Sequence, residues 1–186
     1  MAAAFEHEPV LRQIKCRTIV DVGANRGQFA LVARRCFPKA TILSFEPLPK
    51  PANRYRRVFA GDERVRLNEV AVGPKTGKAT IHISARDDSS SMLPITVLQN
   101  QLFPGTSETR QETVRLEPLR EFVQPEEIEP PALLKIDVQG YELETLKGCE
   151  SLLDRFAYIY VECSFVELYA GQASVSEVID FLHEQG

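Results

Sequence analysis

Asp21, Glu46, Asp137 and Glu162 each stand at or near the end of a short apolar run, and Gly23 and Gly27 follow the first of them four residues apart. Carboxylates so placed can accept hydrogen bonds from paired hydroxyls or take a proton from a reacting group. Glycines in the connecting turn let the backbone approach a ligand closely. The first run, Ile19-Val-Asp-Val-Gly-Ala-Asn-Arg-Gly27, leads into an amphipathic helix, and a second run, Ile42-Leu-Ser-Phe-Glu46, follows about twenty residues after the first. Strand, glycine turn, helix, strand and terminal acid form the nucleoside-binding half of a Rossmann-like sheet.

Glycine spacing separates the possible nucleosides. A dinucleotide fingerprint, G-x-G-x-x-G, requires glycines where this chain has Asn25 and Gln28. The bare helix N-terminus that seats a pyrophosphate is therefore missing. Acid-x-Gly-x-x-x-Gly, here Asp21, Gly23 and Gly27, resembles motif I of class I S-adenosylmethionine (SAM) methyltransferases, whose ligand carries no phosphate. The plain alternative is that the two glycines only make a tight turn between strand and helix.

The elements that must position these residues alternate. Strands are expected over residues 18–22, 41–45, 64–72, 132–138 and 158–163. Helices are expected over 28–37, 52–60 and 141–153, and from a capping box at Ser174 and Glu177 onward. A short lead-in helix over 10–15 has Pro9 in its first turn. Between the two halves the pattern loosens. Residues 78–84 alternate as a half-exposed strand, 87–91 read as a polar flexible run and 99–111 as a mobile loop. A short strand over 113–116, a short helix over 119–123 and a Pro/Glu-rich surface linker over 124–131 follow. The fold class expected is α/β: a Rossmann-like three-layer αβα sandwich with a mainly parallel sheet. Residues 1–17 form the lead-in and 18–186 the domain. A sheet of this class commonly finishes with an antiparallel strand pair. The reading ends in a helix, so that pair is expected to be missing or incomplete and the domain to be C-terminally truncated.

Bulk composition narrows the class. The chain has 186 residues and a net charge of −4, which argues against a general nucleic-acid footprint. No apolar run reaches membrane-spanning length, and residues 1–8 lack a basic n-region and an apolar h-region, so a cytoplasmic protein is expected. Cysteines 16, 36, 149 and 163 form no C-x-x-C pair. His7, His82 and His183 lie far apart near no motif and are expected at surface or edge positions.

The run Leu134-Lys-Ile-Asp-Val-Gln-Gly-Tyr-Glu-Leu-Glu-Thr-Leu-Lys-Gly148, with Val20-Asp-Val-Gly-Ala-Asn25, Ala71-Val-Gly73 and Val161-Glu162, resembles the FkbM family of SAM-dependent methyltransferases from about residue 18 onward. The family usually carries Glu where this chain has Gln139. The resemblance implies O-methylation of a hydroxyl on a small molecule or glycan, with SAM as methyl donor and S-adenosylhomocysteine as product. On that basis Glu46 is assigned to the ribose hydroxyls, and Gly23, Ala24 and Asn25, with Gly27 closing the turn, to the methionine tail. Asp21 orients the loop or receives the amino group, and Ala71 borders the adenine. Asp137 is the first choice for general base, Glu162 the second and Glu142 the third, each with the alternative of a structural role. Asp137 and Glu162 could also offer two oxygens to Mg²⁺, but no third ligand is evident and metal dependence is not expected. Residues 89–91 could reach cofactor or acceptor, and Arg54, Arg56 and Arg57 read as a solvated helix face. Two further readings share the sheet: a non-catalytic descendant that binds SAM or a partner, and an NAD-dependent oxidoreductase.

Overall fold

The computed structural model describes residues 3–186. Its strands are β1 (Thr18–Val22), β2 (Thr41–Phe45), β3 (Val65–Asn68), β4 (Ala71–Val72), β5 (Gly77–Ser84), β6 (Glu108–Glu117), β7 (Ala132–Ile136) and β8 (Tyr158–Val161). Its α-helices are α1 (Glu8–Leu11), α2 (Gln28–Cys36), α3 (Pro49–Val58), α4 (Val97–Leu102), α5 (Glu142–Cys149) and α6 (Val175–Gln185). Five strands form one parallel sheet in the order β3-β2-β1-β7-β8. The strand order reverses between β1 and β7, the place where an open α/β sheet opens a ligand crevice at its carboxyl edge.

Both faces of this sheet are covered, so its central strands are apolar without interruption by solvent. Val20, Val22, Leu43, Leu134 and Ile136 join Leu146, Cys149 and Val178 of α5 and α6 on one side. Ile19, Ile42 and Leu133 meet Phe29, Val32, Ala33 and Tyr55 of α2 and α3 on the other. Among the described residues α6 follows β8, and no antiparallel pair extends this sheet. Ser174 caps α6 through the expected capping box with Glu177.

The strand expected over 64–72 is two strands in two sheets. β3 ends at Asn68, and the chain steps across so that Ala71 and Val72 pair with β6 while Val70 and Val72 enter the core. β4, β6 and β5 make a second, three-stranded sheet. Residues 99–111 are not a loop throughout: α4 ends at Leu102, and β6 starts at Glu108 and pairs antiparallel with β5 along its length. Its outer half is exposed on both faces, so the backbone ladder rather than burial forms it, and no apolar alternation announces it.

The polar run 87–91 is also ordered. A 3-10 turn spans Asp87–Ser89, and Ser89 and Ser91 are buried. The helix expected over 141–153 is α5 followed by a 3-10 segment, Glu150–Arg155. The lead-in helix lies earlier than expected, as a 3-10 turn over Phe5–His7 running into α1 with Pro9 in its first turn. The first two residues of the 1–17 lead-in lie outside the described residues.

Candidate active site

Register aligns the site. Asp21 of β1 pairs with Ser44 of β2 and Lys135 of β7, and Lys135 pairs with Tyr160 of β8. Because side chains alternate along a strand, these four residues form a polar row on one face of an otherwise apolar sheet. Ser44 Oγ and Tyr55 Oη lie 2.6 Å apart, and His7 Nδ1 and Tyr160 Oη 2.9 Å apart, which closes the row at both ends. Two residues further along each strand stand Glu46, Gly23, Asp137 and Glu162, at the carboxyl edge. Backbone bonds from Glu46, Gly23, Asp137 and Glu162 to the neighbouring strands carry the ladder to that point.

Lys135 is the electrostatic centre. It is 5 % exposed, its Nζ lies 3.1 Å from Asp21 Oδ1 and 3.5 Å from Asp137 Oδ2, and it donates to the Gly23 carbonyl at 3.2 Å. Burial disfavours its charge, but the two carboxylates outweigh burial and raise its pKa above the ordinary value.

Asp137 and Glu162 form a hydrogen-bonded carboxyl pair. Burial alone would lift Asp137, but Lys135 and the hydrogen bonds from Glu162 and Gln139 hold its carboxyl below the usual range. Burial, and then the charge on Asp137, push Glu162 up to about 8. One proton is thus shared, held on Glu162 while Asp137 stays ionised.

Glu46 is 6 % exposed, and burial pushes it up to about 7 against the opposing bonds it accepts from the Leu48 and Asn25 amides. Those bonds measure 2.8 and 2.9 Å, one to each carboxylate oxygen. Each oxygen keeps acceptor capacity for a hydroxyl.

These groups open into a cavity of about 760 Å³. Gly23, Ala24, Asn25, Glu46, Ala71, Asp137 and Glu162, all candidates in the sequence reading, line it. Ser90, Ser91 and Gln139 line it too. Asp21, Gly27 and Glu142 are not among its lining residues, and each has another task. Asp21 is fully buried beneath the loop with Lys135. Gly27, at φ +93°, begins α2 where a Cβ would meet the Phe59 ring at 2.8 Å and the Tyr55 ring at 3.0 Å. Glu142 turns back to accept the Gly140 and Val138 amides at 2.9 and 3.2 Å, so it closes the turn before α5 rather than meeting an acceptor. Gly23 lines the cavity but is fixed first by packing: at φ +79°, a Cβ would lie 1.7 Å from the Asp137 carbonyl oxygen.

Sequence reasoning missed Lys135, Tyr160 and the N-terminal segment. Ala3, Ala4, Glu6 and His7 wall the cavity beside Tyr160, so His7 is at the site rather than remote from every motif. A lysine between apolar neighbours in a strand buried on both faces was the available signal for Lys135. Nothing local signalled His7, whose partner Tyr160 lies 153 residues away.

The carboxyls set a pH dependence for stability. Glu46 and Glu162 start from ordinary values near 4.5 and are raised to about 7 and about 8, so between these limits the folded state holds protons that the unfolded chain has released. Their contribution to stability therefore falls as pH rises through that window. Asp137, shifted down, gives a contribution lost only in acid. Urea midpoints are expected to drop from pH 6 to pH 8, and Glu162→Gln to flatten that slope; a flat wild-type profile would refute the assignment of both raised carboxyls.

The cavity suits SAM on its own chemistry. Its size is that of a pocket for a nucleoside-sized ligand. The Asp137 carboxylate gives it a negative group for a sulfonium cation, and Leu48, Ala71, Ile81 and Met92 give an apolar slot for a base. A parallel sheet with this strand order, a glycine turn after β1 and an acid ending β2 define a Rossmann-like methyltransferase fold. The chain matches the family described as "Methyltransferase FkbM domain" over residues 21–186. It belongs to that family, which implies SAM as methyl donor.

Among curated proteins it is 31 % identical over 173 residues to "2-O-methyltransferase NoeI" of Sinorhizobium fredii, covering 88 % of this chain and 70 % of the relative. It is 28 % identical over 142 residues to "Hexuronic acid methyltransferase AglP" of Haloferax volcanii, covering 76 % of this chain but 54 % of the relative. A crystal structure of "Methyltransferase FkbM" from Methylobacillus flagellatus superposes with a TM-score of 0.57 at 12 % identity, covering 91 % of this chain and 36 % of the other. The chain thus spans little more than half of some relatives. No helix among the described residues is long and apolar enough to cross a membrane.

Proposed function

We propose that this chain transfers a methyl group from SAM to a hydroxyl of a sugar or small molecule, with Asp137 as general base. The observation that carries the reading is the position of Asp137, which lines the cavity next to Glu162 with its carboxylate 3.5 Å from the ammonium of buried Lys135. Two relatives, one named a 2-O-methyltransferase and the other a hexuronic acid methyltransferase, support the acceptor class. SAM, when bound, supplies an electrophilic methyl group on a sulfonium sulfur. The protein's part is to align the acceptor, exclude water and remove the hydroxyl proton as its oxygen attacks.

Glu46 takes the ribose hydroxyls in this reading, since it lines the cavity with its carboxylate held by the Asn25 and Leu48 amides. The loop Gly23–Ala24–Asn25 takes the methionine end, and Leu48, Ala71, Ile81 and Met92 flank the adenine. Gln28 and Asn25 offer amide groups to the tail. Asp137 is read as working without Mg²⁺, since the Lys135 ammonium already stands 3.5 Å from its carboxylate. Assays with EDTA and with added Mg²⁺ examine that arm.

Calorimetric titration of SAM and S-adenosylhomocysteine is the primary test. Glu46→Ala is expected to weaken both by about 1–3 kcal/mol, the usual loss when a buried hydrogen-bonding partner is removed. Glu46→Gln keeps a carbonyl for one of the two amides and should fall between. Wild-type affinity in a folded Glu46→Ala protein would remove the ribose assignment, and no binding to the wild type would remove the donor site altogether.

A further inference from the structure

Gln139, in the turn before α5, bonds at both ends of its side-chain amide. Its Nε2 donates to Asp137 Oδ1 at 2.8 Å, and its Oε1 accepts from the Tyr169 hydroxyl at 2.8 Å. Tyr169 is 2 % exposed, and Gln99 Nε2 lies 3.4 Å from its hydroxyl on the far side. The one hydroxyl proton of Tyr169 has two carbonyl oxygens in reach, Gln139 Oε1 at 2.8 Å and Ser89 O at 3.2 Å, and along the shorter bond the donors run from Gln99 through Tyr169 and Gln139 to the Asp137 carboxylate. That direction fixes the amide orientation: the flipped Gln139 would turn its oxygen toward an ionised carboxylate.

The backbone around Gln139 is held as firmly as its side chain. Gln139 has φ +55°, a left-handed conformation that non-glycine residues seldom adopt and that surrounding contacts must hold. Ser91 Oγ donates to its carbonyl at 2.5 Å. Tyr169 packs against the neighbouring turn so closely that a Cβ on Gly140 would lie 2.9 Å from Tyr169 Cβ. Ala170 N donates to Pro94 O and Thr96 N to Leu168 O, clasping the segment that carries Tyr169 to the one that carries Ser91.

We propose that Gln139 and Tyr169 are positioning residues that hold Asp137 as a carboxylate at the cavity wall beside Glu162, through the bond Gln139 donates to Asp137 and the bond Tyr169 donates to Gln139. The proposal rests on the reading of Asp137 as base. The charged and titratable groups facing Asp137 are Lys135 and Asp21 from the central strands, Tyr160 and Glu162 from β8, Glu142 from α5 and Tyr169 from the following loop. Of these Lys135 alone is a cation, and the neutral donor from Gln139 adds to Lys135 and to the bond from Glu162 in favouring the carboxylate. A Glu at 139 would set a third carboxyl against the pair, and would have to hold a proton or turn away.

The test is a pH titration by carbon-13 NMR of protein labelled at the aspartate side-chain carboxyl and saturated with S-adenosylhomocysteine, with Asp137→Asn to identify the signal. Gln139→Glu and Tyr169→Phe are each expected to raise the Asp137 midpoint by about one pH unit. Unchanged thermal melting and S-adenosylhomocysteine affinity show that each variant keeps its fold. Unmoved midpoints in both variants would overturn the proposal. A shift in Gln139→Glu alone would remove Tyr169 from it. Failure of the wild type to bind S-adenosylhomocysteine would count against the methyltransferase reading instead, and the same titration without ligand still decides the relay.

Discussion

Asp137→Asn is expected to reduce methyl transfer by about 10²–10⁴-fold, the range general-base catalysis commonly supplies, while leaving SAM binding near the wild-type level. The amide keeps the shape of the carboxylate and a carbonyl for Gln139, but it cannot accept the hydroxyl proton. Lys135 would lose one of its two carboxylate partners and keep Asp21, 3.1 Å away. Removing the charge on Asp137 also removes one of the causes that hold the proton on Glu162, so Glu162 would ionise at lower pH. Residual activity in Asp137→Asn that rises with pH and vanishes in the double variant with Glu162→Gln would mean that Glu162 serves as an inferior base. Formation of S-adenosylhomocysteine from SAM, with methyl uronosides and neutral methyl glycosides as acceptors, provides the measurement. Wild-type turnover by a folded Asp137→Asn protein on an acceptor that the wild type methylates would remove Asp137 from the chemistry.

The parts of this site legible in the sequence are those made by local pattern. Gly23, Glu46, Asp137 and Glu162 follow apolar runs, and in a parallel sheet run ends gather at one edge whatever the intervening chain does. Their convergence therefore followed from strand recognition alone. Their separate roles did not. Gly23 and Gly27 look alike in sequence, yet one lies against the Asp137 carbonyl and lines the cavity while the other seats α2 against Tyr55 and Phe59. Glu142, three positions from Gln139, looked like a carboxylate at the site and instead caps the intervening turn.

What escaped the sequence depended on non-local pairing. β6 shows no alternation over its outer half, because its exposed residues answer to solvent on both faces and only β5 gives it a ladder. The serines of the 87–91 run look solvated by composition, but Ser91 is buried by its bond to the Gln139 carbonyl 48 positions away. The position of His7 is settled by the return of the N-terminal segment to β8. For Ser91 and His7 a partner distant in sequence supplies the hydrogen bond, which local composition does not reveal.

Lys135→Met is expected to be the most destabilising single change at the site, by about 3–5 kcal/mol, because it removes one member of a buried ion pair. The methionine can fill the lysine stem's volume among Phe29 and its neighbours, whose ring the ammonium faces at 5.4 Å. It cannot neutralise Asp21, which has no exposed surface and pairs with Lys135 in register across β1 and β7. Asp21 would have to take up a proton to remain buried, and the Gly23 carbonyl would lose its donor, so the glycine turn should loosen along with the fold. Replacing both partners tests the cause rather than the position. If the loss comes from an uncompensated charge, Lys135→Met with Asp21→Asn recovers most of it, since exchanging a whole buried pair for neutral groups is often close to neutral. If it came from misfitted packing, the double variant would be at least as unstable as the single one. Urea unfolding of the four proteins at one pH separates the two outcomes. The same set bears on function: in the double variant Asp137 is deprived of its cation although Asp21 no longer needs one. A protein restored in stability but still impaired in transfer would mean that Lys135 serves the sheet through Asp21 and the chemistry through Asp137.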